Sequence, residues 1–170
     1  MKREILIPGH EISKKVQELG RRISSDYQGK EPICIGILNG VIFFFADLVR
    51  AMTIPYRIDF IRAASYGSSM TSSGELRLVK DVEMPILEKD LIIVEDIVDT
   101  GLTLNRIVKN LRERGPRSVR ICALIDKRER REEEVPIDYW GFRVERGFLV
   151  GYGLDFDEQY RDLPDIYALT

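Results

Sequence analysis

Apolar positions follow two rhythms along the chain. The runs Ile33–Leu38, Ile58–Arg62, Leu91–Val94, Val119–Ile125 and Phe148–Val150 are short, continuous and rich in β-branched residues, so they read as buried strands. Between them the spacing changes. Ile12, Val16, Leu19 and Ile23 share one face of a helix running from Glu11 to about Tyr27. Phe43 to Met52 reads as a second helix. Leu104, Ile107, Val108 and Leu111 mark a third, from Leu102 to Arg114, with Gly115-Pro116 as its stop. Strands alternating with helices predict an α/β fold with a doubly wound, mainly parallel sheet, and right-handed crossovers put helices on both of its faces. No repeat or compositional break divides the chain, so residues 1–170 are expected to form a single domain, long enough to bury a core without disulfides or a structural metal.

Two stretches break the pattern. Ser65 to Gly74 is small, polar and rich in glycine and serine; it has nothing to pack and reads as a mobile loop, either a plain hairpin connection or a lid, the lid reading being favoured by its single aromatic, Tyr66. Lys127 to Glu134 mixes both charges and reads, apart from Lys127, as a solvated connection.

Composition then narrows the function. The formal net charge is −2 and the pI about 5.6, which gives no bulk attraction to nucleic acid; any polyanion has to be held by local backbone donors, a few cations and a metal. No apolar run approaches the roughly 20 residues that span a bilayer, and Met1 to Pro8 lacks the long apolar core and cleavage site of a secretory signal, so the expected location is cytoplasmic. Cys34 and Cys122 each lie inside an apolar run and read as buried, reduced thiols. His10 has no Cys or His nearby with which to build a metal site or a triad.

The segment with the most chemistry is Leu91 to Thr103, read as strand, acidic pair, turn and helix start. In a doubly wound sheet, ligands bind at the carboxyl ends of the strands. The helix entered through Asp99-Thr100-Gly101-Leu102-Thr103 offers N–H groups without internal acceptors, two hydroxyls and the positive end of its dipole, a cradle for a phosphate. The glycine-lysine-serine/threonine end of a nucleotide-hydrolysing loop is absent. Glu95, Asp96 and Asp99 repel one another unless a cation or a polyol satisfies them. A plainer account, with Asp99 capping the helix and the acidic pair solvated, leaves the combination unexplained.

Val94 to Thr103 resembles the phosphoribosyl pyrophosphate motif of type I phosphoribosyltransferases, and its Glu-Asp followed by Asp-Thr-Gly resembles the hypoxanthine-guanine branch. Further landmarks follow in family order over nearly the whole chain. Leu38-Asn39-Gly40 and the helix after it resemble the pyrophosphate loop, Ser65-Tyr66 the start of the closing loop, and Asp126-Lys127-Arg128 the segment whose lysine meets the purine. Phe148 to Asp155 and Tyr160 to Leu163 resemble the purine pocket and the near-terminal segment. One position departs: Asn39 stands where the family often has lysine, which removes a positive charge beside the leaving group.

The resemblance implies a magnesium-dependent transfer from phosphoribosyl pyrophosphate to hypoxanthine or guanine, on a fold with a small hood holding the purine pocket. It implies Asp99 as general base at purine N7; Thr100, Gly101, Leu102 and Thr103 on the 5′-phosphate; and Glu95 and Asp96 on the ribose and one Mg²⁺, with Asp155 helping to hold a second. Lys127 would donate to purine O6, Phe148 stack on the base, and Leu149 and Asp155 meet the C2 edge. Asn39, Gly40, Ser65, Tyr66 and Arg161 would hold the pyrophosphate, across a loop that in this family often contains a cis peptide. Homodimers or homotetramers are expected, with part of Phe43-Phe44-Phe45 at an interface. Read alone, Phe148 would be core, and Lys127 and Arg161 surface charges. Two alternatives stay open: a xanthine-using enzyme of the same kind, decided at the C2 edge, and a phosphoribosyl pyrophosphate-sensing regulator that binds nucleic acid, which the acidic pI disfavours.

Overall fold

The computed structural model describes residues 1–64 and 76–170. Its strands are β1 (Arg3–Ile7), β2 (Ile33–Ile37), β3 (Arg57–Ala63), β4 (Leu78–Lys80), β5 (Asp90–Val98), β6 (Ser118–Lys127), β7 (Tyr139–Val144), β8 (Phe148–Val150) and β9 (Ile166–Leu169). Its helices are α1 (Gly9–Asp26), α2 (Ile42–Ala51) and α3 (Leu102–Arg112). The main sheet has the order β4-β3-β2-β5-β6-β7; β3, β2, β5, β6 and β7 run parallel and β4 antiparallel at one edge. The expected doubly wound α/β sheet is thus present.

Alternation along the central strands explains the two layers of helix. Cys34, Ile92, Val94, Cys122 and Leu124 pack with Ile12, Val16, Leu19 and Ile23 of α1 and with Phe44, Phe45 and Leu48 of α2. Ile33, Ile35, Leu91, Ile93, Ile121 and Ala123 face the other way, against Leu104, Ile107 and Leu111 of α3. Buried on both faces, these strands carry no polar alternation, which is why they stand out as plain apolar runs. Cys34 and Cys122 are free thiols with no exposed surface, and burial pushes Cys34 up to about 12.

Of the strands the sequence did not reveal, β4 and β7 are the edges of the main sheet, and β1 and β9 lie in a second sheet. β1, β9 and β8 form a separate three-stranded antiparallel sheet that joins the two ends of the chain: Lys2 N donates to Thr170 O at 2.9 Å and Thr170 N to Lys2 O at 3.1 Å. This is the small hood, with Phe148 and Leu149 on β8. β1 is exposed except at Ile7, so neither period is legible in it. The helix boundaries lie within two residues of their sequence expectations. Gly115, at φ +76°, follows α3 and supplies its stop. The start of α1 moved forward to Gly9, whose N–H donates to Asp165 Oδ1 at 2.6 Å, an acceptor 156 residues away.

Candidate active site

Two strands run further than their apolar runs. β5 continues through Glu95, Asp96 and Ile97 to Val98, and β6 through Asp126 and Lys127. The acidic pair and the lysine therefore stand within the strand ends rather than beyond them. The strands remain in parallel register as far as Val98 opposite Asp126. Asp99 leaves one strand and Lys127 ends the other, so residues 28 apart in sequence arrive side by side. Lys127 Nζ lies 3.9 Å from Asp99 Oδ1, an ion-pair separation too long for a hydrogen bond.

Asp99 does not cap α3. The cap position is Gly101, and no side chain caps it; Thr100 Oγ1 accepts from Leu102 N at 3.3 Å. Asp99 Oδ1 is buried without a hydrogen bond, while Oδ2 meets Arg130 Nη1 at 3.4 Å. A buried carboxylate oxygen without a hydrogen bond is costly and calls for a donor from outside. Gly101 is required by its surroundings: φ is +84°, and a Cβ there would lie 2.2 Å from Glu133 O.

Lys127, only 6% exposed, points between Asp99 and Glu129, whose Oε2 is 3.6 Å from Nζ. Glu129 Oε2 also accepts from Gly147 N at 3.0 Å, next to Phe148. Most of the charge run after Lys127 is exposed, at Glu129, Arg130, Glu132 and Glu134, in line with its reading from sequence, but the Arg131 side chain departs from it. The Arg131 side chain is only 6% exposed: Nε donates to Asp99 O at 2.8 Å, and Nη2 to Val98 O at 3.1 Å, Lys127 O at 3.0 Å and Asp126 Oδ1 at 2.6 Å. Glu132 N and Glu133 N both donate to Thr100 O. Pattern could not reveal this, because the arginines of the run alternate with no apolar period.

The peptide bond Leu38–Asn39 is cis. Gly40 lies directly against Asp96: a Cβ would come within 2.0 Å of Asp96 Oδ2. Gly153 presses on the same place, its own Cβ position being 2.0 Å from Gly40 O. The loop after β2, the acidic end of β5 and the turn after β8 thus share one point.

Glu95 and Asp96 interact closely. Desolvation first, then the charge of Asp96, push the Glu95 carboxyl well above the usual carboxylate range. A divalent cation would supply such a pair with a counter-ion. Among the described residues no three metal-capable side chains converge. Asp155 therefore does not join Glu95 and Asp96 in one ligand set; its Oδ2 accepts from Glu158 N at 2.9 Å and its Oδ1 lies 3.5 Å from Arg161 Nη2. The pair suits an ion that takes most of its oxygens from substrate and water, as Mg²⁺ does, rather than a protein cage.

A cavity of about 310 Å³ opens on Asn39, Gly40, Asp96, Asp99, Lys127, Phe148, Leu149, Asp155 and Arg161. A neighbouring one of about 510 Å³ shares Asn39, Phe148, Asp155 and Arg161 and adds Arg62, Phe156 and Glu158. Both fall within the size range of small-molecule sites. Phe148 is not core: it is 48% exposed and meets Phe156 edge-on at 5.5 Å, leaving an aromatic wall on the cavity. Arg161 is fastened by Nη1 to Gly153 O at 2.7 Å and by Nη2 to Glu158 Oε1 at 3.1 Å. Arg62, Arg130, Phe156 and Glu158 line these cavities and were not singled out from sequence; a lone residue at a strand end or in a turn has no periodic signal. Glu95 and Thr100 to Thr103 do not line these two cavities, although they directly precede Asp96 and follow Asp99 in the chain, and Ser65 and Tyr66 lie outside the described residues.

Comparison with known proteins adds to this geometry. The model of the phosphoribosyl transferase domain matches residues 3–157. The chain is 43% identical over 163 residues to the hypoxanthine phosphoribosyltransferase of Salmonella typhimurium, covering 95% of this chain and 92% of that protein. It is 43% identical over 166 residues to the hypoxanthine-guanine phosphoribosyltransferase of Bacillus subtilis, covering 98% and 92%. Among solved structures, a hypoxanthine phosphoribosyltransferase from Staphylococcus aureus superposes with a TM-score of 0.92 at 40% identity, covering 98% of this chain and 91% of that one.

Proposed function

The chain belongs to the phosphoribosyl transferase domain family, and from that premise we infer that it transfers the 5-phosphoribosyl group of phosphoribosyl pyrophosphate to hypoxanthine, guanine or both. The products are the purine nucleoside 5′-monophosphate and pyrophosphate, a purine salvage reaction. The observation that carries the assignment is the buried Asp99 Oδ1 with no hydrogen bond, at the end of β5 and 3.9 Å from Lys127, where a proton acceptor and a cation meet one heterocycle.

Each group has a task in that reaction. Asp99 takes the proton from purine N7 as N9 attacks C1′, which passes through an oxocarbenium-like state. Lys127 donates to O6, where negative charge grows as N7 is deprotonated; an ammonium there disfavours the amino group of adenine. Phe148 stacks on the base, and Leu149 with Asp155 meets the C2 edge. Thr100, Gly101, Leu102 and Thr103 hold the 5′-phosphate and so fix C1′ for in-line transfer. Glu95 and Asp96 hold the ribose hydroxyls. Asn39, Gly40 and Arg161 receive the pyrophosphate, and Ser65 and Tyr66 are assigned to the same side. Glu95 and Asp96 would hold Mg²⁺, and Asp155 a second ion on the pyrophosphate; the metal offsets the charge of the leaving group. The chain works as one domain over residues 1–170, in the cytoplasm, as a homodimer or homotetramer. Exposed Ile42 and Phe43 on α2, beside Tyr152, support the assembly.

The test is nucleotide formation by the purified protein with phosphoribosyl pyrophosphate and Mg²⁺, offering hypoxanthine, guanine, xanthine and adenine separately. Turnover with hypoxanthine or guanine, none with adenine, and loss on chelation are expected. Failure with every base despite bound phosphoribosyl pyrophosphate would overturn the assignment.

A further inference from the structure

We propose that Arg131 is a positioning residue for the transfer, tying the ends of β5 and β6 into the geometry in which Asp99 and Lys127 face the same base. The inference rests on the proposed function. It starts from a backbone problem. β5 and β6 stay in register to Val98 opposite Asp126; after that pair one chain turns into α3 and the other into the charged run. Val98 and Lys127 at this end are only 2% and 6% exposed, so backbone carbonyls released there by the parting of β5 and β6 need donors other than water.

Arg131 supplies it for both strands. The turn that returns it is closed by Arg131 N donating to Arg128 O at 3.1 Å. Nε and Nη2 then reach Asp99 O and Val98 O on one strand, and Lys127 O and Asp126 Oδ1 on the other. Asp126, only 1% exposed, is also gripped by Arg128 Nη2 at 3.1 Å and Arg143 Nε at 3.3 Å, so the anchor of the clamp is itself held on three sides. Two of the three backbone oxygens that Arg131 bonds belong to Asp99 and Lys127 themselves, and the third to Val98. The 3.9 Å between Asp99 Oδ1 and Lys127 Nζ is therefore set by a guanidinium that does not line the cavity. A planar fork with fixed donor directions can bridge two strands; an ammonium on a flexible stem cannot keep the same four acceptors in place.

The experiment compares wild type with Arg131→Lys, which retains charge and most of the bulk. kcat, KM for each substrate, phosphoribosyl pyrophosphate binding by calorimetry and Tm are measured together. The expected result is a fall in kcat of about 100-fold, the cost of misplacing reacting groups by about an ångström, with phosphoribosyl pyrophosphate binding close to wild type. Wild-type kcat in Arg131→Lys overturns the proposal. So does a parallel loss of turnover and phosphoribosyl pyrophosphate binding that tracks Tm, which is the signature of general damage. If Arg131→Lys does not fold, Asp126→Asn carries the test: it keeps an acceptor for Arg131 and weakens the anchor. A smaller loss confined to kcat supports the clamp, and wild-type kcat overturns it. Turnover by the wild type in the same assay separates failure of this inference from failure of the functional assignment.

Discussion

Asp99 shows how much one side chain depends on what its neighbours decline to do. It sits one residue before a threonine and two before the helix cap, a place where aspartate ordinarily satisfies helix N–H groups. Here Thr100 Oγ1 accepts from Leu102 N instead, and one Asp99 oxygen is left buried without a hydrogen bond. Asp99→Asn keeps the shape and removes the proposed base; turnover should fall about 100- to 10,000-fold while phosphoribosyl pyrophosphate binding, measured by calorimetry, is largely spared. Unchanged turnover would remove Asp99 from the mechanism. Glu95 argues in the other direction. Desolvation beside Asp96 makes its charged form unfavourable in the free protein. Glu95→Gln should therefore raise Tm in the presence of a chelator yet lower turnover with Mg²⁺; a lower Tm under chelation would contradict a strained acidic pair. Both residues were legible in sequence as candidates. Phe148 needed the fold to be seen as a wall, because an apolar triplet is the same pattern whether it faces a core or a cavity.

At the scale of elements, the strand ends matter more than the strands. β5 and β6 outrun their apolar stretches by carrying polar residues in extended backbone, and Asp126 at that junction is held below the usual carboxylate range. Burial acts to raise it, but the hydrogen bond from Arg131 and the charges of Arg128 and Arg131 outweigh burial. The folded value thus lies below the unfolded value of about 3.9, so this contribution to stability is complete above that pH and is lost as pH falls through the folded value. Asp126→Asn should lower stability at neutral pH by about 2 kcal/mol and flatten its acid limb, read from urea midpoints across pH. The turn into α3 is equally constrained. Gly101→Ala adds a Cβ at positive φ against Glu133 O, so it should cost about 2 kcal/mol or more and weaken phosphoribosyl pyrophosphate binding, measured by thermal melting and calorimetry. The helix starts and stops were readable because glycine, proline and apolar spacing act locally. The role of Arg131 was not, because its partners lie on two strands.

Across the whole molecule, the site draws on the loop after β2, the ends of β5 and β6, the start of α3, and β8 with the turn after it. Phosphoribosyl pyrophosphate with Mg²⁺ at about 100 times its dissociation constant should add about 2.7 kcal/mol of stability and raise Tm, and chelation should cancel most of the gain. No such shift would mean that these parts do not form one binding site. By itself, the sequence determined the kind of layers, the helix faces, the glycine turn into α3 and the acidic and basic residues proposed to bear the chemistry, since each is written in local period or in contiguous residues. Only the tertiary structure decided that Lys127 meets Asp99, that the Arg131 side chain is buried under both, that Phe148 faces outward, and that the chain ends close into a hood. The physical reason is the same in each case. Parallel pairing, edge strands and buried ion pairs join residues far apart in the chain, and no local spacing records which of them will meet.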